Sequence, residues 1–302
     1  MTIRLLRTLV AIADHKTFSA AAETVHVTHA AVSQQMQSLE ADLGLKLFDR
    51  TKRTPELTPI AHEIVAKARI LISDYENLVP SVLDESGLMG PIKVGAVGTT
   101  LTGLMPRAMA SLKIRFPDTG LHIRPGLTAN LLTDIERSNL DAAVISRPHL
   151  MPAGVTFQPL VEERLELIAS VEETQNDPLL LLRTKPFIRF NRNAVLGSVI
   201  DSWLLSKSIH VKESMELDSA EAIASMVHAN LGVSIVPRLT VRPHDLHPYK
   251  GFELGGDAPT RWLGLAYRKD QVKTRSIREL LGALSTVIDQ ARTDPVPGIP
   301  SN

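Results

Sequence analysis

The chain has 302 residues, no net formal charge, 44% hydrophobic residues and no cysteine. This length allows two domains, and the hydrophobic fraction is sufficient for a packed core. The lack of cysteine excludes disulfides, thiolate metal sites and cysteine nucleophiles, and the zero net charge excludes a protein that is basic throughout.

The amino-terminal residues predict an amphipathic helix rather than a targeting or membrane segment. Residues 3–14 repeat apolar side chains at helical spacing, which indicates a helix that supports its neighbours by packing. No signal peptide precedes this helix, and no apolar run reaches the length that spans a membrane. We therefore expect a cytoplasmic protein.

Residues Phe18 to Gln37 predict two short helices joined by a tight turn. Ser19 is a candidate N-cap for the first helix and Thr28 for the second, because hydroxyl oxygens accept hydrogen bonds from backbone N–H groups at helix starts. Only His26 and Val27 remain for the turn, so the helices must cross at a steep angle, as in a helix-turn-helix.

The second helix has an apolar stripe and a polar face beside it. The stripe recurs every three or four residues and comprises Val32, Met36, Leu39 and Leu43. The neighbouring face comprises His29, Ala30, Ser33, Gln34 and Gln37. Hydroxyl, amide and imidazole groups on such a face suit hydrogen bonds to base edges in a major groove.

A basic hairpin is predicted after this helix, with Leu47 and Phe48 as its apolar anchor. Its cations suit phosphate contacts, which fix the register of a protein on DNA without reading sequence. They are Arg50, Lys52 and Arg53. Residues 1–58 hold seven Lys/Arg and six Asp/Glu, a net charge of only +1, so DNA affinity must depend on local charge and on several copies. The alternative is a solvated helix followed by a charged loop.

The run AAAETVHVTHAAVSQQMQSLEADLGLKLFDRTKRTPELT resembles the winged helix-turn-helix of LysR-type transcriptional regulators. The matching positions are Ala30-Ala31-Val32-Ser33, Leu39-Glu40, Leu43-Gly44, Leu47-Phe48, Arg50, Arg53 and Leu57-Thr58. The departures are His29 in place of the commonest Gln, Gln34 and Gln37 in place of frequent Arg, and Ala61 in place of a usual Gly. The resemblance implies DNA contacts from Thr28, His29, Ala30, Ser33, Gln34, Gln37, Arg50, Lys52 and Arg53.

A longer helix is predicted to begin after the hairpin, with Thr58 as N-cap and Pro59 at its first position. It should end or kink near Val79, because Pro80 lacks an N–H. An apolar heptad seam indicates pairing with another helix; its members are Ala61, Ile64, Ala68, Leu71, Tyr75, Leu78 and Val82. The alternative is a helix packed on its own domain. By resemblance to the family this is the dimerising linker helix, through Ile64, Ala68, Leu71, Tyr75 and Leu78.

From Ile92 onward, strands alternate with helices, which predicts a mostly parallel sheet with helices on both faces. Two such series, joined by crossings near Leu160–Arg164 and Arg261–Tyr267, predict two lobes around a cleft. The phrases RFPDTGLHIRPG, LDAAVI and VHANLGVSIVP resemble the periplasmic-binding-protein-like effector domain of the same family. Asn230 stands where many relatives have Gly, and it suits a left-handed helix end.

The predicted fold is therefore an α/β architecture with an N-terminal winged helix-turn-helix, a linker helix and a C-terminal two-lobed effector domain. The expected boundaries are 1–58, 59–87 and 88–302. Lobe I should comprise about 91–161 and 267–292, and lobe II about 162–266. The proline-rich tail DPVPGIPSN is expected to be disordered.

Ligands of open parallel sheets bind at the carboxyl ends of strands, and several polar residues follow predicted strands in this chain. These candidate effector-binding residues are Thr99, Thr100, Thr128, Arg147, Asn191 and Asn193. Thr99, Thr100 and Thr102 are predicted at a helix N-terminus, and with Arg147 they suit a small organic anion. Turn chemistry for the threonines and a surface ion pair for Arg147 remain alternatives.

Catalytic signatures are weak. Gly95-Ala96-Val97-Gly98 lacks the third glycine that dinucleotides require, and no Walker loop, G-x-S-x-G or H-E-x-x-H occurs. His244 and His247 lie in a proline-flanked loop without a clear third metal ligand, so a solvated loop is the default. We predict no catalytic residue, no metal and no cofactor.

The sequence thus predicts a LysR-type regulator that activates or represses promoters under the control of a small-molecule effector. Its expected partners are double-stranded operator DNA, the effector and itself, as a homodimer assembled into a homotetramer; RNA polymerase is a further candidate. A cytoplasmic solute-binding protein and an enzyme are the competing hypotheses.

Overall fold

The computed structural model describes residues 2–49, 56–78, 90–243, 247–271 and 273–293. Contacts divide the chain into two units, Met1–Gly90 with Glu136–Asn139, and Pro91–Ile135 with Leu140–Asn302. Several predicted features lie outside the described residues. They are Arg50, Lys52, Arg53, Pro80, Val82, His244 and the tail from 294.

The first unit is helical with one short hairpin. Its elements are α1 (Ile3–His15), α2 (Phe18–Thr24), α3 (His29–Leu43), β1 (Phe48–Asp49), β2 (Glu56–Leu57) and α4 (Pro59–Asn77). The predicted apolar stripe of α3 faces the core, where Val32, Met36 and Leu39 are fully buried. The predicted anchors Leu47 and Phe48 are buried in the same core. This confirms the helix-turn-helix and the base of its wing.

The N-terminal ends of these helices match the predictions except at one cap. Thr28 caps α3 by accepting a hydrogen bond from the Ala31 N–H at 3.2 Å, and His26 takes the left-handed conformation at the turn. The prediction of Ser19 as the α2 cap was wrong, since Thr17 accepts the Ala20 N–H instead. Helix α2 therefore begins two residues earlier than a cap at Ser19 implies, at Phe18.

Helix α4 begins as predicted, with Thr58 as its cap and Pro59 at its first turn. Its last helical residue is Asn77, two residues before the predicted end near Val79. Ala61 and Ala68, two members of the predicted seam, are buried in the core of their own unit. The first half of the helix therefore packs on its own domain, which was the alternative interpretation.

The second unit alternates strands and helices as predicted. Its elements are β3 (Ile92–Ala96), α5 (Leu104–Arg115), β4 (Leu121–Pro125), α6 (Thr128–Glu136), β5 (Ala142–Ser146), β6 (Val155–Ala169), α7 (Pro178–Thr184), β7 (Pro186–Phe190), α8 (Val195–Ser206), β8 (Lys212–Leu217), α9 (Ala220–His228), β9 (Ser234–Pro237), β10 (Lys250–Glu253), β11 (Thr260–Arg268) and α10 (Thr274–Thr293). Strand β10 and helix α7 were not predicted.

The sheets are mixed rather than mostly parallel, which corrects the sequence-based expectation. Strand β3 pairs in parallel with β4 and β5, and β7 pairs in parallel with β8. However, β11 is antiparallel to both β5 and β6, and β6 is antiparallel to β9 and β10. The parallel pairs lie within lobes, whereas the antiparallel pairing belongs to the two strands that cross between them.

The two predicted crossings lie within β6 and β11. Strand β6 pairs with β11 along 155–164 and then with β9 and β10 along 165–169, so one strand serves both lobes. The register shifts between Leu263 and Gly264, which leaves Leu160 as an extra residue. A Cβ at Gly264 would lie 2.4 Å from the Phe157 ring, so glycine is required at this bulge.

Each lobe has its own core. Phe187 and Trp203 are buried in the core of lobe II, and Leu265 and Leu284 in that of lobe I. Asn230 has a φ of 56°, and its N–H donates to the Val227 carbonyl, which confirms the left-handed end predicted for α9. No helix in the described ranges is both long enough and apolar enough to cross a membrane.

Candidate nucleic-acid interface and effector cleft

The polar face of α3 is accessible to a partner. His29, Ala30, Gln34 and Gln37 are exposed, and Ser33 is half-buried. Within the described part of the chain, the side chains of Ser33, Gln34 and Gln37 form no hydrogen bond, so their amides and hydroxyl are available to base edges. Gln35, between them, instead accepts a 2.6 Å hydrogen bond from Thr8 of α1.

The wing is fixed to the end of α3 by one carboxylate. Glu40 accepts hydrogen bonds from the backbone N–H groups of Leu47, at 2.7 Å, and Phe48, at 3.2 Å. Gly44 ends α3 in the left-handed conformation, which turns the chain towards the hairpin. Thr58 closes the base of the wing by donating its hydroxyl proton to the Lys46 carbonyl. The hairpin thus starts from a defined position beside the polar face.

The second half of α4 presents an apolar stripe outside its own core. Leu71, Tyr75 and Leu78 are 49%, 57% and 62% exposed and recur at spacings of four and three residues. Of the other predicted dimerisation positions, Ile64 is half-buried and Ala68 is buried. The exposed stripe therefore comprises only the later part of the predicted seam.

A cavity of about 30 Å³, room for roughly one water, lies between the lobes of the second unit. Its lobe I side holds four polar side chains, Thr99, Thr128, Ser146 and Arg261, beside the apolar Val97 and Leu127. Its lobe II side is largely apolar, with Phe190, Ala194, Val195 and Leu196, and also includes Asp218. A molecule with a polar end and an apolar end fits this division, provided that the lobes separate to admit it.

Arg261 is the cation of this cleft, and it was not predicted as a site residue. It lies directly opposite Glu163 in the β6–β11 register and is 3% exposed. Its Nε and Nη2 groups donate to Glu163 Oε2 at 3.0 and 2.7 Å, and its Nη1 donates to the Thr99 hydroxyl at 2.8 Å. Burial lowers the pKa of the Arg261 guanidinium, and the Glu163 carboxylate opposes that shift.

The predicted effector-binding residues divide into two groups. Thr99 and Thr128 line the cavity. The hydroxyl of Thr100 donates to the Val97 carbonyl within its own turn, and the side chain of Asn191 accepts the Asn193 N–H in a turn of the same kind. Turn chemistry, the alternative stated for the threonines, therefore describes Thr100, and the two asparagines form a turn of their own.

Arg147 lies apart from the cavity lining. Its side chain is exposed, and its guanidinium is 5.7 Å from the centre of the Phe157 ring. The predicted helix N-terminus at residues 99–102 is also absent, since Gly98–Thr100 form a short 3-10 turn and α5 begins only at Leu104. Neither Arg147 nor a helix N-terminus therefore supports an anion site in the cleft. The support for such a site comes instead from the buried guanidinium of Arg261.

A second buried carboxyl lies in lobe II, at Glu166. Among the residues that the structure describes, none forms a hydrogen bond with its Oε1, and a Cβ at Gly251 would come within 2.8 Å of its Oε2. Burial raises the pKa of Glu166 above its ordinary value of 4.5, and Glu253 adds to the rise, whereas Arg242 and Arg238 oppose it. No metal-binding cluster of three His, Asp or Glu groups occurs among the described residues.

Family models match both units of the chain. Residues 3–62 match the model described as a bacterial regulatory helix-turn-helix protein of the lysR family. Residues 85–288 match the model of the LysR substrate binding domain.

Individual relatives match over most of the chain. A probable RuBisCO transcriptional regulator of Synechocystis sp. is 30% identical over 308 residues, covering 94% of this chain and 87% of that protein. A protein of the same description from Cyanophora paradoxa is 31% identical over 244 residues, covering 76% of this chain and 74% of its own. A full-length OxyR variant from Pseudomonas aeruginosa superposes with a TM-score of 0.73 at 26% identity, covering 94% of each chain. CbnR in complex with its target DNA shares the fold, with a TM-score of 0.62 at 20% identity, over 96% of this chain and all of that one.

Proposed function

The chain belongs to the LysR family of bacterial transcriptional regulators, and on this premise we propose that it binds operator DNA and regulates transcription in response to a small-molecule effector. The observation that carries this proposal is the exposed polar face of α3, whose Ser33, Gln34 and Gln37 side chains form no hydrogen bonds within the described residues. Thr28, His29 and Ala30 complete the proposed base-reading surface.

The proposed phosphate contacts come from the wing. Arg50, Lys52 and Arg53 follow β1, whose base is fixed by Glu40 beside α3. Cations on a hairpin that starts beside a base-reading helix would hold the phosphate backbone and set the register of the helix in the major groove. Because residues 1–58 have a net charge of only +1, firm binding requires at least two copies on one operator.

We propose that the copies associate through α4. Leu71, Tyr75 and Leu78 are the exposed part of its seam, and Ile64 lies at the edge of the stripe. Two such helices would bury these side chains against each other and place two α3 helices on successive half-sites. A dimer of such dimers, bending the operator between its heads, is the proposed active assembly.

The proposed effector is a small organic anion with an apolar portion. Its oxygen atoms would accept hydrogen bonds from Arg261, Thr99 and Ser146, and its apolar portion would lie against Phe190 and Leu196. Because the cavity has room for roughly one water, binding requires that the lobes move apart, and this movement links the effector to the regulation of DNA binding.

The competing hypotheses are disfavoured by the family assignment. A solute-binding protein has no need of the helix-turn-helix that residues 3–62 match, and the family consists of regulators rather than enzymes. A cytoplasmic location follows from this proposal, because promoter DNA is there. RNA polymerase is a proposed partner at promoters that the protein activates.

The test is binding of the full chain to the DNA that precedes its own gene, followed by fluorescence anisotropy at increasing salt. We expect affinity to fall linearly with the logarithm of salt concentration, as phosphate contacts require. Replacing both Gln34 and Gln37 with Ala should reduce the preference for this DNA over a scrambled sequence. Gln290→Ala, at an exposed glutamine on α10 of the second unit, is the matched control. Equal affinity for the two sequences in the unsubstituted protein would contradict the proposal.

A further inference from the structure

A segment after β9 connects lobe II to lobe I without belonging to either crossing strand. We call residues 238–242 the bridging segment. Its Val241 side chain is buried in the core of lobe I, and its Arg242 carbonyl accepts a 3.1 Å hydrogen bond from Arg107 of α5. A Cβ at Gly103 would come within 2.2 Å of the Val241 carbonyl oxygen, so the segment approaches the backbone of lobe I as closely as glycine permits. The position of this segment therefore depends on how the lobes are arranged.

The bridging segment is held from the other side by Glu163 of β6. Glu163 Oε1 accepts a 2.8 Å hydrogen bond from the Thr240 N–H. Its Oε2 accepts both hydrogen bonds from Arg261 described above. Glu163 is 4% exposed, so neither oxygen has ready access to water in exchange for these partners. One buried carboxylate thus joins the cation of the cleft to the backbone of the bridging segment.

The hydrogen bonds that connect the cleft to Glu163 begin at residues of the cavity wall. Arg261 Nη1 donates to the hydroxyl of Thr99 at 2.8 Å and to that of Ser146 at 3.5 Å, and all three residues line the cavity. An oxyanion that accepts hydrogen bonds from Nη1 adds a second negative charge near Glu163 and shares the guanidinium charge with it. In a buried site, where charges are screened weakly, this weakens the hold of Arg261 on Glu163 and favours rotation of that carboxyl group.

We propose that Glu163 couples occupancy of the cleft to the bridging segment. In this arrangement an oxyanion on Arg261 weakens the hydrogen bond from Thr240 to Glu163, and the bridging segment loosens its contact with α5. The coupling rests on the proposed effector function of the cleft, and it assigns to Glu163 a positioning role, since Glu163 is not among the residues that line the cavity. The lobes are then less firmly held together in the occupied state than in the empty one.

The test is a double-substitution cycle read out by hydrogen exchange of the Thr240 amide in the full chain. Arg261→Gln removes the two hydrogen bonds that hold Glu163 Oε2 in place, so the carboxyl group is free to rotate away from Thr240. We expect exchange at Thr240 to become about tenfold faster or more, as for the loss of one hydrogen bond to a charged acceptor. In the Glu163→Gln background the amide has a single acceptor oxygen, which cannot serve both Arg261 and Thr240, so the coupling between them is already broken. Arg261→Gln should there change the rate by less than about twofold.

Formate is the probe for the cleft, compared with chloride at equal ionic strength. It should speed exchange at Thr240 in the unsubstituted chain and in Glu162→Gln, the matched control one residue away, whose carboxylate accepts from Thr260 on the exposed side. It should have no effect in Glu163→Gln. If Arg261→Gln fails to fold, Arg261→Lys replaces it, because Lys keeps the charge but cannot donate to Glu163 and Thr99 in the same fork.

Two results would overturn the proposal. One is unchanged exchange at Thr240 in the Arg261 variant while the helices of lobe II remain protected. The other is an equal response to formate in Glu163→Gln and in the unsubstituted chain. Neither measurement uses DNA or the natural effector. Failure of either one would therefore not bear on operator binding, which the anisotropy experiment tests separately.

Discussion

Glu40 allows the attachment of the wing to be tested by one substitution. It accepts the N–H groups of Leu47 and Phe48, both of which belong to buried residues. In Glu40→Ala these two donors lose a charged acceptor and have little access to water in exchange. A hydrogen bond to a charged group contributes about 1.5–3 kcal/mol, and because the bond to Phe48 is long we expect about 3 kcal/mol for both together. Unfolding of the head should become about 100-fold more favourable.

The assay is hydrogen exchange of α1, α2 and α3 in the full chain. Tryptophan fluorescence does not report on the head, because Trp203 and Trp262 both lie in the second unit. Glu40→Gln, which keeps one acceptor oxygen without its charge, should lose only about 1 kcal/mol. The reasoning is refuted if Glu40→Ala changes protection by less than about threefold, or if the Gln variant loses as much as the Ala variant.

Three further predictions concern the recognition of DNA sequence, the oligomeric state and the pH dependence of stability. Ser33→Ala should change which operator sequences are preferred, whereas Lys52→Ala should weaken binding to all sequences and lower the salt slope by about one, both measured by anisotropy. Tyr75→Asp, which places a charge in the exposed stripe of α4, should shift the chain towards monomer in sedimentation, while Lys67→Asp on an exposed part of the same helix should not. Glu166 has a raised pKa in the folded state, so the folded chain holds a proton that the unfolded chain releases. Stability should therefore fall as pH rises from about 4.5 through that raised value, and Glu166→Gln should remove much of this fall in urea unfolding followed by tryptophan fluorescence.

The helix-turn-helix is predictable from sequence because its signals are local. The cap at Thr28, the turn at His26 and the apolar spacing within α3 each depend on residues a few positions apart. The same locality explains the error at α2. Thr17 and Ser19 are both good capping residues, and sequence alone does not decide which of the two precedes the first helical turn.

The cleft is less predictable because its polar side is assembled across the chain. Arg147 directly follows a strand, which made it a natural candidate in a parallel sheet. Arg261 instead lies within an antiparallel strand and faces Glu163, 98 residues away. Periodicity identifies strands but not the register between strands so far apart, and that register is what places the guanidinium beside Thr99.

The seam of α4 shows why a heptad pattern does not reveal which partner it packs against. Ala68 and Leu71 belong to one apolar repeat, yet Ala68 lies in the core of its own unit and Leu71 is exposed. One apolar stripe therefore packs on its own domain in its first half and is exposed in its second half. The burial of each residue distinguishes the two parts, whereas the spacing of the residues does not.

The bulge between β6 and β11 has a mechanical consequence for the two lobes. A pair of antiparallel strands resists stretching, because every hydrogen bond of the ladder would have to lengthen, but it yields more readily to torsion. The extra residue at Leu160 increases the local twist and removes part of the ladder beside the cleft. We therefore expect the lobes to turn about this ribbon rather than to separate in a straight line. Displacement in a rotation grows with distance from the axis. A rotation of a few degrees at Gly264 would therefore move the far end of lobe II several times further than it moves the residues at the cleft.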